Sequence, residues 1–216
     1  MEDFKKYKKK KIQFSYSILK RLMDIFGGLF GLVFFGPIII FAIIKIKKES
    51  PGPAIFKQKR LGLGGKPFTI YKLRGMYFDA KNRFPHLYDY TNQSDLNFYF
   101  HEDNDPRVTN VGRLIRRTSI DELPNFFNVL IGNMSLVGPR PEIPEVIDLY
   151  GNNIAKYLSV KPGITCSSKA SLRDSLTKEE TLKIDLDYID NMSLYNDIKL
   201  LYKTLISVIF NKNVYT

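Results

Sequence analysis

Twenty consecutive positions, Ile25 to Ile44, carry no charged side chain, and this run dominates the hydrophobic pattern of the chain. At about 1.5 Å rise per residue, a helix of that length matches a hydrocarbon core of roughly 30 Å. The run lies too far inside the chain, and ends too poorly for processing, to be a cleaved signal peptide. Gly36-Pro37 falls in its second half, where proline removes a backbone hydrogen bond and kinks a helix. Lys20 and Arg21 precede the run, and Lys45, Lys47 and Lys48 follow it. Positive residues mark the cytoplasmic side of a membrane. A single span would export one of these clusters, whereas a re-entrant hairpin bent near Gly36-Pro37 keeps both inside. The expectation is the hairpin.

Beyond Pro51-Gly52-Pro53 the pattern changes. Ala54–Lys59 and Phe68–Leu73 read as two strands around the turn Gly62-Leu63-Gly64-Gly65-Lys66. That glycine cluster lacks the spacing and trailing Ser/Thr of a nucleotide P-loop. Residues 79–105 are polar and aromatic without clear period and read as loop with short helical pieces. Leu114 and Ile115 suggest a short helix. Leu123, Phe126, Phe127, Val129 and Leu130 then form one apolar face that Gly132 ends. Residues 144–157 read as a further helix, with Lys161–Thr165 a rigid turn after it. Residues 179–190 are helical by period. Leu194–Phe210 carries an apolar stripe at 198, 201, 205, 208 and 209 that closes the core or lies on a bilayer, core closure being the expectation.

Charge divides the chain. Residues 1–60 hold 14 Lys/Arg against 4 Asp/Glu, six of the lysines within positions 5–11, and the remainder holds 19 against 18. A nearly neutral domain behind a basic front argues against a nucleic-acid surface spread over the fold. The single Cys166 excludes an intrachain disulfide. His86 and His101 stand apart and suggest no zinc site.

The candidate chemistry lies in Arg113–Pro141, RLIRRTSIDELPNFFNVLIGNMSLVGPRP. Its centre is the adjacent pair Asp121 and Glu122, with Arg116 and Arg117 before it and Arg140 in a Gly-Pro-Arg-Pro turn after it. Carboxylates beside guanidinium groups hold a metal and a phosphate together, and a carboxylate can attack phosphorus to form a covalent intermediate. Ser119 followed by Glu122 also has the spacing of a capping box at a helix start. The two readings are compatible, because a helix N-terminus attracts phosphate. Lys72 and Arg74 at the end of the second strand, and Arg60 after the first, add cations for an anionic ligand or a surface.

These pieces in order resemble the bacterial sugar transferases, monotopic phosphoglycosyl transferases acting on polyprenyl phosphate. The resemblance runs from about Lys20 to Phe210. It is carried by KRLMDIFGG, the Gly36-Pro37 break, Gln58–Gly62, Tyr71–Arg74, the block DPRVTNVGRLIRRTSIDELPNFFNVLIGNMSLVGPRP, Lys161–Thr165, and a closing Asp185, Tyr188, Asn191, Ser193 and Asp197. It implies an α/β fold, mainly helical with a small β-hairpin. The implied parts are a basic segment (1–24), a re-entrant membrane helix-break-helix (25–48) and a compact cytoplasmic catalytic domain with interfacial amphipathic helices (49–216). The location implied is the bacterial inner membrane, with the catalytic domain on the cytoplasmic face.

The activity implied is transfer of a sugar-1-phosphate from a UDP-sugar to undecaprenyl or another polyprenyl phosphate, releasing UMP, with Asp121 as nucleophile and Glu122 serving Mg²⁺. Such a step would initiate assembly of a surface glycan. Arg116 and Arg140 match the family's phosphate clamps, with Lys72, Arg74 and Arg60 completing the basic set. The implied partners are the UDP-sugar donor, the polyprenyl phosphate acceptor, membrane lipid and a second copy as homodimer, and no nucleic acid. Gly36 in place of the usual serine at the break, Gly75 in place of threonine, and Cys166–Ala170 in place of a glycine with a Trp/Gln-containing run depart from the family pattern. The last of these shapes the donor site. A metal-dependent hydrolase of UDP-sugars and a non-catalytic basic peripheral membrane protein are the alternatives.

Overall fold

The computed structural model describes residues 14–88, 105–171 and 176–209. The lysine run, most of the aperiodic stretch with His101, and the last residues of the chain lie outside them. The apolar run becomes one long helix, α1 (Phe14–Glu49, 36 residues), about 54 Å at standard rise. Its side chains favour helix over turn, and Lys47 and Lys48 in its last turn suit the helix dipole. Pro37 sits inside it. The helix-break-helix expected at Gly36-Pro37 therefore appears as a single continuous α-helix. Proline forfeits one ladder bond, and the bonded residues on either side carry the helix through.

One face of α1 meets the domain along its whole length. Asp24, Gly28, Gly31, Ala42 and Ile46 are buried, at the three- and four-residue spacings of one helical face. Glycines let the next element come close: a Cβ on Gly31 would lie 2.4 Å from a ring carbon of Phe126. The opposite face stays bare, with Phe26 69% and Val33 71% exposed in a helix whose most apolar 18 residues have a mean hydropathy of 2.5. Such a surface suits a membrane rather than water.

The expected hairpin forms. Strand β1 (Ile55–Leu61) pairs antiparallel with β2 (Pro67–Leu73), Ile55 opposite Leu73 and Leu61 opposite Pro67. Alternation puts Phe68, Ile70 and Lys72 on one face of β2. After β2 come α2 (Ala80–Arg83), then α3 (Asn110–Arg117), a 3-10 segment Ile120–Asn125 and α4 (Phe126–Ile131). Gly132, in the left-handed region at φ 89°, ends α4 as expected.

A second pair went unread in the sequence. β3 (Ser135–Val137) runs parallel to β4 (Gly163–Thr165), so the turn expected at Lys161–Thr165 is half strand. Gly138 and Gly163 permit this, since a Cβ on Gly163 would fall 2.2 Å from the Gly138 nitrogen. The crossover between them holds α5 (Pro144–Ile147), a 3-10 segment Asp148–Asn153 and α6 (Ile154–Tyr157). The single helix expected over 144–157 is broken at Gly151, whose φ 51° and ψ −127° no helix contains.

α7 (Ser167–Ser171), α8 (Lys178–Asp190) and α9 (Leu194–Ile209) complete the fold. A capping box starts α8, with Thr177 and Glu180 satisfying each other's backbone N–H. α9 does more than close the core: Tyr195, Ile198, Tyr202 and Leu205 form an exposed stripe opposite its buried Asp197. The fold is mostly helical around three apolar clusters, one centred on Ile70, Val129 and Val137, one on Val146, Tyr150 and Leu182, and one on Ile46, Leu73 and Ile115.

Candidate active site

The site begins where α3 stops. Ser119 takes φ 56°, the only positive φ outside glycine among the described residues, and swings the chain into the 3-10 segment that carries Asp121 and Glu122. The Ser119 side chain makes no capping hydrogen bond there. The capping-box reading is thus corrected: the left-handed turn points Ser119 away from the geometry a cap requires, and Glu122 finds other partners. Two buried amides that sequence reading passed over fix the segment to β2. Asn125 Oδ1 accepts from the Tyr71 N–H at 3.0 Å, and Asn128 Nδ2 donates to Thr69 O at 2.9 Å and to Asn125 Oδ1 at 3.1 Å.

Glu122 is held by two ammonium groups. Lys72 donates to its Oε1 at 3.0 Å, and Lys169 of α7 pairs with its Oε2. Burial alone would raise the Glu122 pKa, but Lys169, then Lys72 and Arg140, hold it well below the usual carboxylate range. Asp121 is the opposite case. It is half-buried, faces the cleft, and makes no hydrogen bond or ion pair with the described residues. Burial raises its pKa, opposed by Lys72 and reinforced by Glu122. One carboxylate of the pair is therefore clamped and ionised, and the other is uncommitted and more basic.

The cleft in front of Asp121 measures about 870 Å³, in the range of small-molecule sites. Arg116, Arg140, Lys72, Lys169 and Arg60 all line it. Arg116 reaches it from the last turn of α3, where α3 presses on the residue after Arg74. The Thr109 N–H donates to Gly75 O at 3.1 Å, and a Cβ on Gly112 would lie 1.9 Å from that oxygen. A Cβ on Gly75 would stand 3.2 Å from Arg116 Cδ, so the glycine found where the family carries threonine gives the Arg116 chain room.

The structure brings Asp121, Glu122, Arg116, Arg140, Lys72, Arg60 and Arg74 to one cleft, and gives Arg74 a second task. Arg74 is buried and donates to Ser50 O at 2.8 Å, to Ser50 Oγ at 2.9 Å and to Pro51 O, tying the hairpin to the end of α1. Arg60 donates to Pro141 O at 3.1 Å and Gln58 Oε1 at 2.8 Å, while its Nε is buried without a partner. Lys169 was missed. It lies in the Cys166–Ala170 stretch that departs from the family pattern, and only tertiary contact joins it to Glu122. Gly36 and Pro37 lie away from the cleft, and a Cβ on Gly36 would touch nothing within 4 Å.

No group of three or more His, Cys, Asp or Glu is placed to hold a metal among the described residues. The Asp121–Glu122 pair nonetheless suits Mg²⁺, which takes one or two carboxylates and completes its octahedron with waters and substrate phosphates.

An uncommitted carboxylate beside a clamped one, ringed by cations and carried on a domain that lies along one long apolar helix, defines a membrane-associated protein equipped to handle phosphate. The chain belongs to the bacterial sugar transferase family, which it matches over residues 15–211. It is 42% identical over 200 residues to the galactosyl transferase CpsE of Streptococcus agalactiae serotype III (strain NEM316), covering 92% of this chain and 44% of that one. It is 38% identical over 192 residues to the undecaprenyl-phosphate galactose phosphotransferase of Salmonella typhimurium (strain LT2), covering 88% and 40%. To the uncharacterized sugar transferase EpsL of Bacillus subtilis (strain 168) it is 39% identical over 197 residues, covering 91% and 90%. The chain thus spans less than half the length of several curated relatives it matches.

Proposed function

We propose that the protein transfers a sugar-1-phosphate from a UDP-sugar to a polyprenyl phosphate, the initiating step of a surface glycan. The observation that carries this reading is the contrast within the acid pair: Asp121 faces the cleft without a partner while Glu122 is clamped by Lys72 and Lys169. The name of the Salmonella relative supports undecaprenyl phosphate as acceptor.

In the first half-reaction an Asp121 carboxylate oxygen attacks the sugar-linked phosphorus. The bond from that phosphorus to the bridging oxygen breaks, and UMP leaves with the electron pair. In the second, an oxygen of the lipid phosphate attacks the same phosphorus and returns Asp121 as a free carboxylate. Arg116 and Arg140 offset the charge that gathers as anions meet at an anionic nucleophile, and their planar forks suit phosphate oxygens. Mg²⁺ held by Glu122 would offset the charge that gathers on the departing UMP as the diphosphate bond breaks. The two half-reactions predict ping-pong kinetics.

The same domain meets both ends of α1. Lys20 near the start donates to Asp197 at 2.7 Å, and Glu49 at the finish accepts from the Val111 N–H at 3.0 Å. A helix crossing a bilayer cannot rest both ends on one water-facing domain. That relationship supports α1 lying along the cytoplasmic face of the inner membrane with its bare apolar side in the bilayer, and the stripe of α9 at the same interface.

The test is UMP release from a panel of UDP-sugars with Mg²⁺, with and without undecaprenyl phosphate. Release that depends on the lipid is expected. Release indifferent to the lipid would make the protein a hydrolase and overturn the reading. Tags at the two chain ends, both shielded from reagents outside the cell, are expected from the topology; exposure of either overturns it.

A further inference from the structure

A metal at Glu122 would compete with two lysines, because each of its carboxylate oxygens already accepts from one. The two lysines differ in how they are held. Lys72 stands on β2, where its neighbour Ile70 packs into the core and Asn125 holds the adjacent strand backbone. Lys169 comes from α7, a separate element, and crosses a cavity also lined by Arg60 and Arg140. Four cations, Arg60, Lys72, Arg140 and Lys169, thus surround one glutamate. Adding a divalent cation there without an incoming anion brings like charges together.

We propose that Lys169 is an exchangeable counterion of Glu122. It occupies the carboxylate until the donor arrives, then yields its oxygen to the metal and moves onto the donor's diphosphate. The exchange rests on the transferase reading for its ligand, and it adds a phosphate-binding residue. It also makes metal and nucleotide bind with positive coupling, since each removes the obstacle to the other.

The test uses the full-length protein in detergent and Mn²⁺ as probe, its binding followed by electron paramagnetic resonance with and without UDP. The wild type is expected to bind Mn²⁺ weakly alone and about tenfold more tightly with UDP. In Lys169→Met, Mn²⁺ alone is expected to bind about tenfold more tightly than in the wild type, UDP more weakly, and the coupling between them to disappear. Lys169→Arg, which keeps the charge, should behave as the wild type. Lys169→Gln serves as a second neutral variant if the methionine protein does not fold. Unchanged or weaker Mn²⁺ binding in both neutral variants overturns the exchange, because a residue that merely supports Glu122 would weaken the metal site when removed. Lipid-dependent UMP release by the wild type judges the transferase reading separately, so failure of one is not read as failure of the other.

Discussion

The backbone N–H of Arg140 donates to Asp185 Oδ2 at 2.9 Å, so a carboxylate on α8 sets the position of an arginine in the cleft. The Tyr157 hydroxyl holds the other side of the same residue, donating to Arg140 O at 2.7 Å. Ser168 Oγ reaches Asp185 Oδ1 at 3.3 Å. Asp185 is fully buried, and burial pushes its pKa from 3.8 up to about 6, against the opposing bond from Arg140.

A pH dependence of stability follows from that shift. The folded value lies above the unfolded one, so the protonated acid favours the fold. Its contribution, roughly 3 kcal/mol at about 1.4 kcal/mol per unit, is whole below about pH 4 and lost as pH rises through about 6. Asp185→Asn is expected to flatten the profile of thermal midpoint against pH across this window. A slope as steep as that of the wild type would count against the assignment.

Asp121 and Glu122 should separate by step. Asp121→Asn is expected to lower UMP release by at least about 1,000-fold and to abolish transfer of radiolabelled sugar phosphate to the protein itself. Its thermal midpoint should stay near the wild-type value, because no described partner is lost. Labelled protein recovered from Asp121→Asn would remove it as nucleophile.

Asp197 fastens the start of α1 to α9. It is buried and accepts from Lys20 at 2.7 Å, Tyr16 at 2.9 Å and Tyr188 at 2.7 Å. Asp197→Ala leaves the Lys20 ammonium without its ion pair and is expected to cost about 3–5 kcal/mol. Thermal unfolding in detergent measures the loss, and faster proteolysis near residues 14–24 should accompany it. Equal stability of the two proteins would show that the pairing does not fasten the helix.

Two glycines should respond in opposite ways. Gly112→Ala drives a methyl group into the backbone of Gly75 and is expected to cost about 3 kcal/mol or to prevent folding. Gly36→Ala meets nothing within 4 Å and is expected to leave stability unchanged or raised by up to about 1 kcal/mol, as alanine favours helix. Yield and thermal midpoint of the two variants, measured side by side, decide it.

What the sequence by itself determined was whatever rests on local pattern and on contiguous motifs. The uncharged run gave α1 because apolar periodicity acts within a few turns. Alternation flanking a glycine-rich turn gave β1 and β2, and Asp121, Glu122 and Arg140 stood out because they share one block. Only tertiary structure decided the rest, because its causes lie between distant positions. Ser135–Val137 becomes a strand only when Gly163–Thr165 lies beside it, and each segment alone is too short to show a period. Arg74 reads as a free cation until Ser50 and Pro51 present their oxygens to it. Lys169 is an ordinary lysine in a small polar run until α7 sets it against Glu122, 47 residues earlier in the chain. Charge attracts through space, and the fold alone fixes which charges are near.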